Sequence, residues 1–223
     1  LKRTKTGNSN RMMAGKKFPL TLGLKAAANE LVVLTDADCY PATNQWLKQV
    51  VSGYATDNKA IVLGYGAYEK KPGRLNRRIR YETFLTALNY LSFALAKLPY
   101  MGVGRNLSYQ KGLFFSTNGF FDHRQIPSGD DDLFINKVAT KKNTEIVISP
   151  DAFTYSPPKE TREEWIEQKT RHMSTARYYR AKHKFWLALQ PISHILFWVT
   201  SLYLLATVFV YWYIVAAAFV LRW

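Results

Sequence analysis

Two aspartates separated by one residue, Asp36 and Asp38, directly follow the apolar run Leu31-Val32-Val33-Leu34. Two carboxylates on one turn are hard oxygen donors, suited to magnesium or manganese, and they leave positions open for substrate phosphates. A cation held there would neutralise a diphosphate leaving group. Such a pair also occurs in ordinary capping turns, so the apolar run before it matters. An uninterrupted Val/Leu run entering an acidic turn reads as a buried parallel strand, with its C-terminal end carrying a site.

A second cluster lies about ninety residues on, at Gly129-Asp130-Asp131-Asp132. Three adjacent carboxylates repel one another, which raises the pKa of at least one. That makes Asp131 or Asp130 a candidate general base for a hydroxyl. The plainer alternative is acidic charge on the first turn of a helix, with Ser128 as its cap. A third group, Gln168-x-x-Arg171-His172, shares one face if the segment is helical. Arginine clamps phosphate with two parallel hydrogen bonds, and glutamine and histidine can bond sugar hydroxyls. Taken alone, this group reads better as a solvated charged helix.

The elements that position these groups follow from periodicity. Helices are expected over 18–29, over 43–56 with Thr43 or Asn44 as cap, over 75–98, from 128 to 139, and over 156–184. Strands are expected at 31–39, 60–69 and 144–149, and 101–110 reads as a glycine-containing turn into a short strand or helix. Residues 1–17 read as a loop or helix lead-in. On the 75–98 stretch the apolar residues recur every three or four positions, with Phe84, Tyr90 and Phe93 on other faces, so contact with both the core and a membrane surface is open to it, and core packing is the favoured reading.

The chain of 223 residues is long enough for one medium domain plus a membrane segment. Charge is concentrated in residues 1–184, no acidic residue follows Glu167, and only Arg222 is charged beyond Lys184. The uncharged run 185–221 is longer than the roughly 20 residues a helix needs to cross a bilayer. It is expected to hold one span, about 186–208, and the start of a second. The net charge of +15 fits an anionic membrane surface, a phosphorylated substrate or nucleic acid, with a generally basic, well-solvated surface as the plainer alternative, and the apolar tail shifts weight towards the membrane. The single cysteine, Cys39, excludes an internal disulfide and a cysteine-based metal centre, and points to a reducing compartment. Leu1 opens the chain and Trp223 ends it just after the apolar run, so the expectation is a fragment at both ends.

In order along the chain, these motifs resemble those of the membrane-bound glycosyltransferases of family 2, such as cellulose, chitin and hyaluronan synthases. The segment GKKFPLTLGLKAAANELVVLTDADCYP resembles the family's stretch into its metal motif. SGDDD resembles its Gly-Asp-Asp or Thr-Glu-Asp base motif. QKTRH resembles Gln-x-x-Arg-Trp, with His172 in place of tryptophan. The resemblance implies a GT-A-like, Rossmann-like α/β domain over 1–184, incomplete at its N-terminus, followed by transmembrane helices over 185–223. It implies an inverting sugar transfer from a nucleotide-diphosphate donor, with a UDP-sugar first among donors, to a glycan or lipid acceptor. Asp38 and Asp36 would hold magnesium or manganese, and Asp131 or Asp130 would be the base. Asp36, Asp132, Gln168, Arg171 and His172 would contact substrate. The enzyme would sit in the cell inner or plasma membrane as a multi-pass protein with its catalytic domain cytoplasmic. His172 offers a smaller stacking face than tryptophan, which favours single-sugar transfer over polymerisation. Two rival readings remain, a membrane-anchored basic module that binds anionic lipid or nucleic acid, and an inactive transferase-like partner subunit.

Overall fold

The computed structural model describes residues 13–56, 58–207 and 209–222; most of the expected lead-in, 1–12, lies outside them. The chain divides into two units, the first ending at Tyr179 and the second running from Arg180 to Trp223.

The first unit carries two sheets. The larger is built from β1 (Leu31–Leu34), β3 (Ile61–Gly64), β5 (Leu107–Gln110) and β6 (Thr144–Val147), in the order β1-β5-β3-β6. β5 runs antiparallel to both β1 and β3, and β3 runs parallel to β6. The smaller sheet has the order β2-β7-β4, from β2 (Tyr40–Pro41), β4 (Gly66–Tyr68) and β7 (Thr154–Ser156).

Helix α1 (Lys17–Ala26) precedes β1, and α2 (Trp46–Ser52) precedes β3. The long α3 (Arg74–Leu95) separates β4 from β5. α4 (Lys111–Ser116) follows β5, α5 (Asp132–Val138) precedes β6, and α6 (Arg162–Met173) follows β7.

The expected strand at 31–39 is shorter and differently paired. β1 is half-buried, and its partner on the β5 side is antiparallel rather than parallel. The fully buried strand is β3, whose four residues are all enclosed. The expected strand over 60–69 breaks at Tyr65, where the chain passes from the larger sheet to the smaller. Gly64 allows the break, because a Cβ there would fall 2.6 Å from the Asn106 side chain. That asparagine is a hub: its amide nitrogen donates to the carbonyls of Tyr65 and Ala152, and its oxygen accepts from the Trp46 indole. The core beside it holds Val50, Val62, Val147 and Ala152. A second core is aromatic, with Tyr109, Phe114, Phe120 and Phe134 in ring contact at 4.8 to 6.4 Å. It fixes α5 against β5, and hence the start of α5 where the aspartates lie.

The second unit is helical. α7 (Ala181–Thr207) and α8 (Trp212–Arg222) are apolar and mostly exposed. α7 is the one helix among the described residues long and apolar enough to cross a membrane. At about 1.5 Å per residue it spans roughly 40 Å. α8, with 11 residues, is shorter. The two meet through Phe219, whose ring lies 4.8 Å from Phe197 and 5.1 Å from Trp198. The expected continuous helix over 156–184 is interrupted: α6 ends at Met173, a short 3-10 turn covers Ala176–Tyr178, and α7 begins at Ala181.

Candidate active site

The Asp36-Ala37-Asp38 turn lies where the chain leaves the larger sheet for the smaller, between the end of β1 and the start of β2. The Cys39 amide donates to the Asp36 carbonyl at 2.9 Å and closes the turn. Donor atoms of Asp36, Asp38 and Cys39 lie within 4.8 Å of one another. Asp38 is exposed and Asp36 half-buried. Burial holds the Cys39 thiol above its ordinary pKa, with the two aspartate charges adding to that against opposing hydrogen bonds. The thiol is therefore protonated at neutral pH and a poor ligand for a hard cation. The donor set that remains, two carboxylates open to solvent, fits magnesium or manganese completed by water and phosphate oxygens.

Lys16 reaches this turn. Its Nζ lies 2.5 Å from Asp36 Oδ1. Burial alone would lower its pKa, but the Asp36 carboxylate outweighs this with help from the charges of Asp130 and Asp131, and the ammonium sits above its ordinary value. Lys16 thus feels both acidic motifs, and the two lie on one side of the domain.

The second motif is held from below by Lys17, whose side chain is fully buried. Its Nζ donates to the carbonyls of Ile126 and Ser128, both at 2.6 Å. Burial lowers its pKa, opposed by the charges of Asp130, Asp132 and Asp131. Gly15 brings the two chains together: its φ is +65°, and a Cβ there would meet the Pro127 carbonyl oxygen at 2.3 Å. Ser128 is therefore not the cap of α5. That position belongs to Asp131, whose Oδ1 accepts from the Asp132 amide at 2.7 Å.

Asp131 Oδ2 accepts from the Gly104 amide at 2.8 Å. Burial, then the charges of Asp132 and Asp130, push its carboxyl up to about 7 against the pull of those two amides. Each oxygen keeps a second lone pair. Asp130 is half-buried beside it. Asp132 turns inward instead. Its Oδ2 accepts from Thr175 Oγ1 at 2.5 Å and from the Tyr179 hydroxyl at 2.8 Å, and its Oδ1 from the Leu133 amide. Burial still holds its pKa above the ordinary value. These bonds break the helix expected over 156–184, because Thr175 and Tyr179 must face Asp132.

The third motif lies on α6. Gln168 Oε1 accepts from the Tyr68 hydroxyl at 3.4 Å, and the Arg105 guanidinium stacks 4.3 Å from the Tyr68 ring centroid. Arg171 and His172 are exposed. The protein around His172, then the cations Arg171, Lys169 and Arg105, push the imidazole down to about 4, with the Asp36 charge opposing. His172 is therefore neutral at pH 7, and Asp36 lies close enough to act on it. All three motifs face a common region. Lys16, Lys17, Gly104, Arg105, Thr175 and Tyr179 join it without a sequence signal of their own, since each is defined by a partner distant in the chain.

The family profile described as "Glycosyl transferase family group 2" matches residues 31–223. No curated protein matches. Among solved structures, the chain is similar to the mannosyltransferase PcManGT from Pyrobaculum calidifontis in complex with GDP-Man and Mn2+, at 22% identity and a TM-score of 0.49, over 68% of this chain and 39% of that one. It is also similar to mannosyl-3-phosphoglycerate synthase from Rubrobacter xylanophilus, at 17% identity and a TM-score of 0.44, over 77% and 53%, and to S. aureus TarS, at 16% and 0.41, over 64% and 40%. The chain thus spans 39% to 53% of the length of these structures. Its mixed sheets with an acidic turn at their junction form a GT-A-like, Rossmann-like α/β domain, and with the profile covering all from β1 to Trp223, the chain belongs to glycosyl transferase family group 2.

Proposed function

We propose that this chain is the catalytic and membrane-proximal part of an inverting, metal-dependent glycosyltransferase that uses a nucleotide-diphosphate sugar. The observation that carries the reading is the placement of Asp131, its carboxylate held by the Gly104 and Asp132 amides on the side of the domain where Lys16 meets the Asp36-x-Asp38 turn, with burial and neighbouring carboxylates raising its pKa. A base is most effective when its pKa lies near the working pH.

Asp36 and Asp38 would hold magnesium or manganese, which neutralises charge on the departing diphosphate. Lys16 and Arg171 stand ready for phosphate oxygens. Asp131 takes the proton from the acceptor hydroxyl as that oxygen attacks the anomeric carbon on the face opposite the leaving group. The amides of Gly104 and Asp132 fix the carboxylate and leave each oxygen a second lone pair to accept a proton. Asp132 is a positioning residue, since its two oxygens are engaged by protein donors. Gln168 and His172 line the acceptor side, and a neutral imidazole can donate and accept there. His172 in place of tryptophan supports single transfer to a lipid or short glycan. α7, with Lys182 and Lys184 in its first turn, serves as an anchor that keeps the domain on the cytoplasmic face of the plasma or inner membrane. The run through α8 supports a multi-pass arrangement.

The test is sugar transfer from radiolabelled nucleotide sugars by the full protein in membranes. UDP-sugars are the first donors to try, and GDP-mannose is the second. Transfer is expected to need Mg2+ or Mn2+ and to vanish in Asp38→Ala and Asp131→Asn while membrane association persists. Transfer retained in chelator, or in both variants, would overturn the proposal.

A further inference from the structure

Helix α3 has two unlike faces. Asn76, Ile79, Thr83, Ala87 and Tyr90 are buried, and the Tyr90 hydroxyl donates to the Gly64 carbonyl at 2.6 Å. On the opposite face Tyr81, Phe84, Leu85, Leu88 and Leu95 stand in solvent, from 42% exposed at Leu85 to 63% at Tyr81. At 3.6 residues per turn these five side chains fall in one stripe about 100° wide. Arg74 and Arg77 continue that stripe towards the N-terminus, and both are exposed. Arg78 and Arg80 flank it, with the Arg78 guanidinium 5.2 Å from the Trp165 ring centroid. Glu82, the one acidic residue of the helix, is paired with Lys169.

Five large apolar side chains in one ordered stripe are more than the scattered exposure of an ordinary surface. Cations at one end of that stripe, on a helix whose one acidic residue is already paired with Lys169, are complementary to an anionic surface. An apolar stripe with arginines at its border is the pattern of a helix lying in a membrane interface, with its rings and leucines at the acyl boundary and its guanidinium groups among phosphates. A protein partner would have to bury the same stripe and supply its own acidic groups. We infer that α3 is an in-plane membrane-binding helix whose exposed face docks on a bilayer containing anionic lipid. The inference rests on the reading that α7 anchors the chain in that bilayer. It ties the membrane to the chemistry through the chain itself, because α3 leads through residues 96–103 to Gly104, whose amide holds Asp131.

The experiment uses the full protein in vesicles of phosphatidylcholine with about one quarter phosphatidylglycerol. Single bimane labels are placed at Leu88→Cys on α3 and, as control, at Lys48→Cys on α2, each in a Cys39→Ser background. Both positions are exposed, so the substitutions leave the core intact, and circular dichroism checks this. Lipids brominated high on the acyl chain are expected to quench the label at position 88 at least about twofold more than at 48, and aqueous iodide the reverse. A label at 88 that iodide reaches and bromolipid does not would overturn the inference. So would a label shielded from both, which would mean a protein partner or a second copy on this face. Alkaline carbonate extraction reads the anchor separately. Extraction of the protein would sink the α7 reading, while quenching at 88 in the vesicle-bound protein would still decide α3.

Discussion

Lys16 Nζ lies 2.5 Å from Asp36 Oδ1, so a lysine ammonium already stands at one oxygen of the proposed metal pair. The lysine side chain is largely exposed, so this is a solvated pair worth about 0.2–1 kcal/mol. It has two consequences of opposite sign. Without donor, Lys16 competes with the metal, and Lys16→Met is expected to tighten Mn2+ binding by about 1.4- to fivefold, the scale of such a pair. With donor present, the freed ammonium faces the diphosphate, so the same variant should raise the donor KM. Manganese titration followed by electron paramagnetic resonance, together with steady-state kinetics, reads both. No change in either would show that Lys16 is a bystander.

The Asp131 carboxyl, raised to about 7, gives two pH effects with known signs. Activity needs the carboxylate, so kcat/KM should rise with pH through a limb near 7. Stability runs the other way. The folded state favours the protonated form, whereas the unfolded chain titrates near about 3.9. The contribution of Asp131 is therefore fully present below about 4 and is lost as pH rises through about 7. Asp131→Asn removes that dependence, and it also loses one of the two amide bonds, since one carboxamide oxygen replaces two acceptors. The loss of stability between pH 5 and pH 8, followed by thermal unfolding, should be smaller in the variant than in the parent. An unchanged slope would mean that Asp131 does not titrate in this range.

The sequence carried the order of the motifs but little of what holds them. The apolar run before Asp36 marks β1, and the periodicity of 75–98 marks α3, because both signals are local. Strand direction is not local: nothing in Leu31–Leu34 says that its neighbour is β5 running antiparallel. Ser128 looked like a cap by residue type, yet its carbonyl is taken by Lys17, 111 residues earlier. The break after α6 was hidden for the same reason, since helix propensity across 156–184 gives no hint that Thr175 and Tyr179 bond Asp132.

That buried triad sets the charge beside the proposed base. The hydroxyls of Thr175 and Tyr179 lower the Asp132 pKa against the effect of burial. Removing either should make Asp132 neutral at a higher pH than in the parent. A neutral Asp132 repels Asp131 less, so the acid limb of kcat/KM should move down in Tyr179→Phe and in Thr175→Val. Each variant should also lose about 1–3 kcal/mol through an under-satisfied buried carboxylate. The two losses should be non-additive, because both donors share Oδ2. A purely structural role would lower stability without moving the limb.

Lys17 offers the sharpest separation between holding the base and binding the donor. Its ammonium is fully buried, and it donates to two main-chain carbonyls just before Gly129. Lys17→Met keeps most of the side-chain volume but leaves the carbonyls of Ile126 and Ser128 unpaired, at a cost of about 1–3 kcal/mol each. The loop that delivers Asp131 should then shift while the Asp36-x-Asp38 turn stays in place. Turnover should fall by about tenfold or more, as a misplacement of about 1 Å allows, with Mn2+ affinity unchanged. Gly15→Ala should act in the same direction by another route. A Cβ at φ +65° would press on the Pro127 carbonyl, and that strain is also of order 1–3 kcal/mol. If either variant weakened metal binding as much as turnover, the two motifs would not be held independently.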